Sequence, residues 1–227
     1  YVQAEAGFTR RGAGGADVES SKLVFATFDH GTSRAQEPQI HTHVLLLNIG
    51  IREDGTTGTV LSQPVFEEKM AAGAIYRAEF AYQLEEELNL KCVRDKSCFR
   101  IEGSPKEMEE EVSSRRKEIE KAMDEGGYSG AVASKIAALN TREAKTHLPR
   151  EVLFQEWKKI GEKYDFGEEN VRALMAGPLK ERDPERELAE ALKVATDKIT
   201  DKASYFSRGT LIRHAAEEAQ GRGLSAV

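Results

Sequence analysis

The feature that most restricts what this chain can fold into is the run Ile40-His41-Thr42-His43-Val44-Leu45-Leu46-Leu47-Asn48-Ile49, apolar and carrying two histidines at its start. A strand sends successive side chains to opposite faces, so residues two apart share one face. The run predicts a strand over residues 40–49, deeply buried towards its end, with His41 and His43 side by side. At a rise of about 3.3 Å per residue their Cα atoms lie roughly 7 Å apart, near enough for both rings to meet one ion. Ser21 to Phe28 predicts an earlier strand, and Gly31 to Pro38 a polar loop between the two. If those strands pair antiparallel, His30 comes level with the histidine pair. Three neutral imidazoles with open positions for water or substrate form a catalytic rather than a structural metal site. An isolated H-x-H pair reads more simply as two polar residues on a solvated face. Three of the five histidines within fourteen positions shift the balance towards metal, although spacing by itself leaves the two readings near even. His147 and His214 each stand among charged helical neighbours and read as surface histidines.

The rest of the chain predicts an α+β fold, an antiparallel β-sheet flanked by helices with a helical C-terminal region. Gly55 to Leu61 reads as a third, weaker strand after a turn at Asp54-Gly55. From Glu67 to Leu88 the period changes to three and four, with Met70, Ala74, Ala78, Ala81, Leu84 and Leu88 marking one buried helix face. Lys91 to Ile101 offers two short strands around Asp95-Lys96. Ser104-Pro105-Lys106-Glu107 starts a helix expected to run to Asp124, with Ser104 as its cap. Beyond Asn140 only helices are expected. Pro149 opens one carrying Trp157, Asp183-Pro184 starts another, and Ser207 caps the last.

Charged residues make up 32% of the 227 and hydrophobic ones 39%, a composition suited to a folded chain with well-solvated helices. The net charge of −6 argues mildly against nucleic acid, but a cleft needs only a local basic lining. No apolar run is long enough to enter a bilayer as a spanning helix, so no membrane insertion is expected. With no signal-peptide pattern, and with Cys92 and Cys98 lacking zinc-type spacing, a cytoplasmic location is expected. No G-x-x-x-x-G-K-[ST] motif occurs, so nothing in the chain supports an ATPase.

The stretch from Phe25 to Asn48 resembles the MobF-type conjugative relaxases, the TrwC/TraI family. In that family a histidine precedes a T-S-R loop, then P-Q-[LI]-H-T-H and an apolar strand. Here these are His30, Thr32-Ser33-Arg34 and Pro38-Gln39-Ile40-His41-Thr42-His43. This is the HUH endonuclease signature with its third histidine in place. The likeness continues through Ala74 to Glu79, Phe99 to Gly103, Ser113 to Ile119, Asn140-Thr141-Arg142-Glu143-Ala144-Lys145 and Glu156-Trp157. It therefore implies a relaxase (HUH) domain over residues 1–175, lacking its N-terminal part, and a helical linker towards a helicase-like region over residues 176–227.

What the resemblance implies is a site- and strand-specific nick at a transfer origin during conjugation, by metal-assisted tyrosyl transesterification. His30, His41 and His43 would hold a divalent metal, Mg2+ or Mn2+ with Ni2+ or Zn2+ as further occupants. Thr32, Ser33, Arg34, Gln39, Arg142 and Lys145 would contact single-stranded DNA, and the conjugation machinery would be a partner. Arg115, Arg116 and Lys117 lie on a helix rich in glutamates and read as surface ion pairs. The family carries its nucleophilic tyrosines in a first part of the domain that has no counterpart here, so the chain is expected to hold no catalytic tyrosine. Three other readings stand beside this one. They are an HUH replication initiator or transposase, a non-catalytic single-stranded DNA-binding module, and a histidine-metal enzyme acting on a small molecule in a closed apolar pocket.

Overall fold

The computed structural model describes all residues except Tyr128, 142–147, Lys180 and Val227, and the side chains of Ala13 and Ala131. In chain order it comprises α1 (Val2–Ala6), β1 (Phe8–Arg11), a 3-10 turn (Ala13–Gly15), β2 (Asp17–Ser20), β3 (Lys22–Thr32), β4 (Pro38–Ile51) and β5 (Thr57–Gly58). Then follow α2 (Ser62–Leu88), β6 (Cys92–Asp95), β7 (Cys98–Ile101), α3 (Lys106–Glu111), α4 (Ser114–Glu125) and α5 (Ala131–Asn140). The described part ends with α6 (Arg150–Lys163), α7 (Glu168–Ala176), α8 (Pro184–Thr200) and α9 (Arg208–Ala219). The chain divides into one unit of residues 1–26, 45–103 and 172–227, and another of residues 27–44 and 104–171.

In the first unit the long helix α2 packs against α9, and α9 against α8. Ala74 and Ala78 of α2 meet Ala216 of α9, with Ile75 and Ala219 alongside. Small side chains at this seam let the two backbones approach closely. The buried face of α2 runs through Ala71, Ala74, Ala78, Ala81 and Glu85, whereas Met70 and Leu88 are exposed. The expected face is thus rotated slightly, and the rotation buries a carboxylate. Glu85 accepts the Cys92 backbone N–H at 3.0 Å and is paired with Arg182 at 2.6 Å, which meets the need of a buried charge for both hydrogen bonds and a counter-ion. The two caps read from sequence form as expected: Asp183 accepts the backbone N–H groups of Glu185 and Arg186, and Ser207 that of Thr210.

Cys92 sits beneath this network, its Sγ 3.6 Å from the carbonyls of Ala81 and Leu90, while Cys98 is exposed. Burial, followed by the charge of Glu85, pushes the Cys92 thiol up to about 12. At pH 8 a disulfide reagent should therefore modify one thiol rapidly and the second only after denaturation. Two equally fast thiols would show that Cys92 is not shielded.

The sheet differs from expectation in three respects. Phe8–Arg11 and Asp17–Ser20 form an antiparallel hairpin that their polar sequences do not announce. The order β3-β4-β5 matches the predicted strands, but β3 and β4 extend well into the expected loop, leaving only residues 33–37 between them. The strand expected to be deeply buried towards its end is not: Ile49 and Ile51 are exposed, and Val44 and Leu45 before them are both 58% exposed. Apolar runs suit a strand covered on both faces, yet Val44 lies on one face of β4 and Leu45, Ile49 and Ile51 on the other, and all four are exposed among the described residues.

In the second unit the helix expected from Ser104 to Asp124 is two helices. Pro105 rather than Ser104 occupies the cap position, and the Ser113 hydroxyl donates to the Glu109 carbonyl at 2.7 Å. That side-chain bond competes with the helical ladder where α3 stops and α4 begins. Helices α4 and α5 pack together. No helix of the described residues is long and apolar enough to cross a membrane.

Candidate metal centre and nucleic-acid interface

The alternation of β3 and β4 decides which side chains meet. His30, His41 and His43 fall on one face, while on the other the Thr42 hydroxyl donates to Asp29 at 2.7 Å. The facing pairs Asp29–Thr42 and His30–His41/His43 pin the register at the place where it matters, since a one-residue slip would send the histidines to opposite faces. The ring centroids lie 5.5 Å apart for His30–His41, 4.5 Å for His30–His43 and 4.8 Å for His41–His43. One nitrogen of each ring lies within 4.8 Å of the others, with His43 exposed and the other two half-buried.

The donor set fits a metal. His41 Nδ1 lies 3.0 Å from the Gln39 backbone oxygen, which can only accept, so Nδ1 carries the hydrogen and Nε2 keeps its lone pair. That Nε2 is 3.3 Å from Nε2 of His43. A backbone carbonyl holding the distal N–H and fixing the ring is the usual support of a metal-ligating imidazole. One ring nitrogen from each of the three histidines, facing the others at a strand end, would leave further coordination positions open.

Between the histidine strands, residues 33–37 make a tight hairpin connection. Ser33 N–H donates to the Glu37 carbonyl at 2.8 Å, and Gln36 N–H to the Ser33 carbonyl at 3.2 Å. Gln36 has φ of +62°, the left-handed region that a turn followed by a bulge requires. The Ser33 hydroxyl donates to the Glu37 carboxylate at 3.1 Å and accepts the Glu37 N–H at 3.2 Å. Arg34 projects from this turn into a pocket of about 400 Å3 that it lines together with Arg115, Lys135, Ala138 and Leu139. Along α5 the neighbouring Val132, Ile136 and Leu139 are exposed. The lining is three cations and an apolar helix flank.

Of the residues expected to meet DNA, Thr32, Ser33, Arg34 and Gln39 thus lie on the strand ends and turn next to the histidines, with Gln39 joined to His41 through its backbone. Arg142 and Lys145 lie outside the described residues, as do Tyr128 and His147. Arg116 forms an exposed ion pair with Glu120, in line with its reading as a surface residue. Arg115 is more than that. Besides Glu118 it donates to the Thr141 carbonyl and hydroxyl and to the Ala138 carbonyl, closing the C-terminal end of α5. Lys135 was not read as a site residue. A lone lysine on a short helix carries no signal until the fold sets it beside Arg34.

Three histidines converging on one face of an antiparallel hairpin, next to an arginine-bearing turn, make the arrangement of the HUH type. The model of the TrwC relaxase family matches residues 1–164, and the chain belongs to that family, the MobF-type TrwC/TraI relaxases. The multifunctional conjugation protein TraI of Escherichia coli is 28% identical over 198 residues, and TraI of Escherichia coli strain K12 is 27% identical over 198 residues. Each alignment covers 78% of this chain, which spans only 11% of either relative's length. Among solved structures, the copper-bound conjugative relaxase TrwC in complex with oriT DNA matches with a TM-score of 0.64 at 28% identity, covering 72% of this chain and 58% of that one. TrwC bound to a 27-mer DNA comprising the recognition hairpin and the cleavage site gives a TM-score of 0.65 at 28% identity, covering 72% of this chain and 61% of that one.

Proposed function

We propose that this chain is the metal- and DNA-binding part of a relaxase that nicks one strand at an origin of transfer in the cytoplasm and hands it to a conjugation apparatus. The convergence of His30, His41 and His43 beside the Arg34 turn is the observation that carries this reading. The family relationship and the TrwC complexes with oriT DNA support it.

The chemistry that the site serves is transfer of a phosphodiester to a tyrosine oxygen. The phenol releases its proton as its oxygen bonds to phosphorus, the bond from phosphorus to the 3′ oxygen breaks, and the 3′ oxygen takes up a proton, leaving a 3′ hydroxyl. His30, His41 and His43 would hold a divalent cation, which would supply charge stabilisation for the phosphate as negative charge builds on it. Imidazole donors favour manganese, nickel or zinc over magnesium. Gln39 keeps the His41 ring oriented, and Asp29 with Thr42 holds the two strands in register. Arg34 offers a planar, permanently charged fork to a phosphate of the strand, and Lys135 adds a second cation beside it. Exposed Ile136 and Leu139 offer apolar surface to unpaired bases.

Binding to a fluorescein-labelled single strand, followed by anisotropy across a salt series, tests this placement. Arg34→Ala should weaken binding by about three- to tenfold and reduce the salt slope by about one, as expected for loss of one phosphate contact. Arg116→Ala, which removes only an exposed ion pair, should leave both nearly unchanged. Equal effects of the two substitutions would move the DNA path away from the histidines.

A further inference from the structure

The turn that carries Arg34 is unusual in its sequence. Its left-handed position is filled by Gln36, where glycine or asparagine normally relieves the strain. A glutamine held there needs support from its surroundings, and two side chains supply it. The indole N–H of Trp157, on α6, donates to the Gln36 carbonyl at 3.0 Å across 121 residues of sequence. Trp157 is itself braced edge-on by Phe154, at 5.4 Å between ring centroids, and Arg150 covers the Phe154 ring at 5.1 Å. From the other side, Glu37 accepts the backbone N–H of Ser114 at 2.8 Å. Ser114 is the first residue of α4, where an exposed helix N–H and the helix dipole both favour a carboxylate. The second oxygen of Glu37 holds Ser33. The turn is therefore tied at Gln36 to α6 and at Glu37 to α4, with Arg34 between Gln36 and the Ser33 that Glu37 also holds, and neither tie is made to a histidine.

We infer that Trp157 and Glu37 are positioning residues for Arg34, fixing the turn so that its guanidinium meets the DNA strand pre-ordered. The inference rests on the proposed DNA contact of Arg34. Pre-ordering removes part of the entropy that binding would otherwise cost, so its loss should appear as weaker strand binding with metal binding intact. Trp157→Phe keeps an aromatic ring against Phe154 and removes the N–H donor. Glu37→Gln keeps the shape and removes the charge at the α4 N-terminus.

The test uses the full chain with a fluorescein-labelled single strand, anisotropy for DNA and titration calorimetry with manganese or zinc chloride for metal. Trp157→Phe and Glu37→Gln should each weaken DNA binding by about three- to tenfold, the range carried by one intramolecular hydrogen bond. In an Arg34→Ala background neither should weaken it further, and metal affinity should stay within about twofold throughout, since sites with no shared partner act independently. A penalty of equal size with and without Arg34 would mean that these residues act through general stability and would overturn the inference. So would full DNA affinity in both single variants. If Arg34→Ala alone has no effect, the DNA contact itself is wrong and the inference falls with it. If Trp157→Phe fails to fold, the Glu37→Gln cycle decides by the same criteria.

Discussion

The double variant His41→Ala/His43→Ala should lose at least about a hundredfold in manganese or zinc affinity, because even an outer support of a metal ligand is worth about 10–100-fold. Two of the three nitrogens that face one another across the strand end are removed, and the remaining His30 cannot hold an ion tightly by itself. Stability should change little, by less than about 0.5 kcal/mol for each substitution, because His43 is exposed, His41 is half-buried, and neither belongs to the alanine seam of the core. Thr42→Val is the informative control. It removes a hydroxyl from the same short segment but on the opposite face, where it bonds Asp29; the backbone pairing of β3 with β4 still holds the register, so metal affinity should persist. Calorimetric titration and thermal melting of the three proteins distinguish the outcomes. Unchanged metal affinity in the double variant would end the metal-site reading, and loss in Thr42→Val as well would point to a collapsed hairpin rather than missing ligands.

The strand alternation that sets up this experiment was readable from the sequence because a period of two is a local property. His41, Thr42 and His43 announce their faces without reference to any other part of the chain. The same holds for the caps at Asp183 and Ser207, which act on backbone N–H groups two or three residues away. What escaped reading depends on partners far along the chain. Glu85 is not among the residues Met70, Ala74, Ala78, Ala81, Leu84 and Leu88 that mark the helix face in the sequence, and its burial makes sense only with Arg182 and the Cys92 amide in place. Glu37 and Trp157 sit in unremarkable local sequence and become a pair of ties through contacts 77 and 121 residues away. The break between α3 and α4 turns on one hydroxyl bonding back to Glu109, a competition that helix periodicity does not register. The histidine cluster, being local, was legible as a constellation, whereas Lys135 and the ties of the neighbouring turn were not.

Residues 1–227 by themselves should form no covalent bond to DNA, whereas the same chain extended at its N-terminus with a family segment that bears a reactive tyrosine should. A phosphotyrosyl link needs a phenol that can approach the phosphate and release its proton. Within the unit that holds the histidines, the Tyr164 hydroxyl lies 2.5 Å from the Glu111 carboxylate, and that hydrogen bond, followed by burial and the charge, raises its proton affinity. Tyr1, in the other unit, gives its hydroxyl to Glu68 and is raised well beyond the ordinary phenol value, by burial first and then by that bond. A phenol in either setting is held protonated and occupied, the opposite of an activated nucleophile. Incubation with an oligonucleotide carrying the cognate nick site and manganese, followed by denaturing electrophoresis, should show no shifted band for this chain at neutral pH or at pH 9. The extended protein should give one, and should lose it in the His41→Ala/His43→Ala background while its melting temperature stays nearly unchanged. An adduct formed by residues 1–227, mapped to its tyrosine by peptide analysis, would overturn this assignment. An extended protein that binds metal and its cognate strand yet never forms the adduct would overturn the proposed relaxase activity itself.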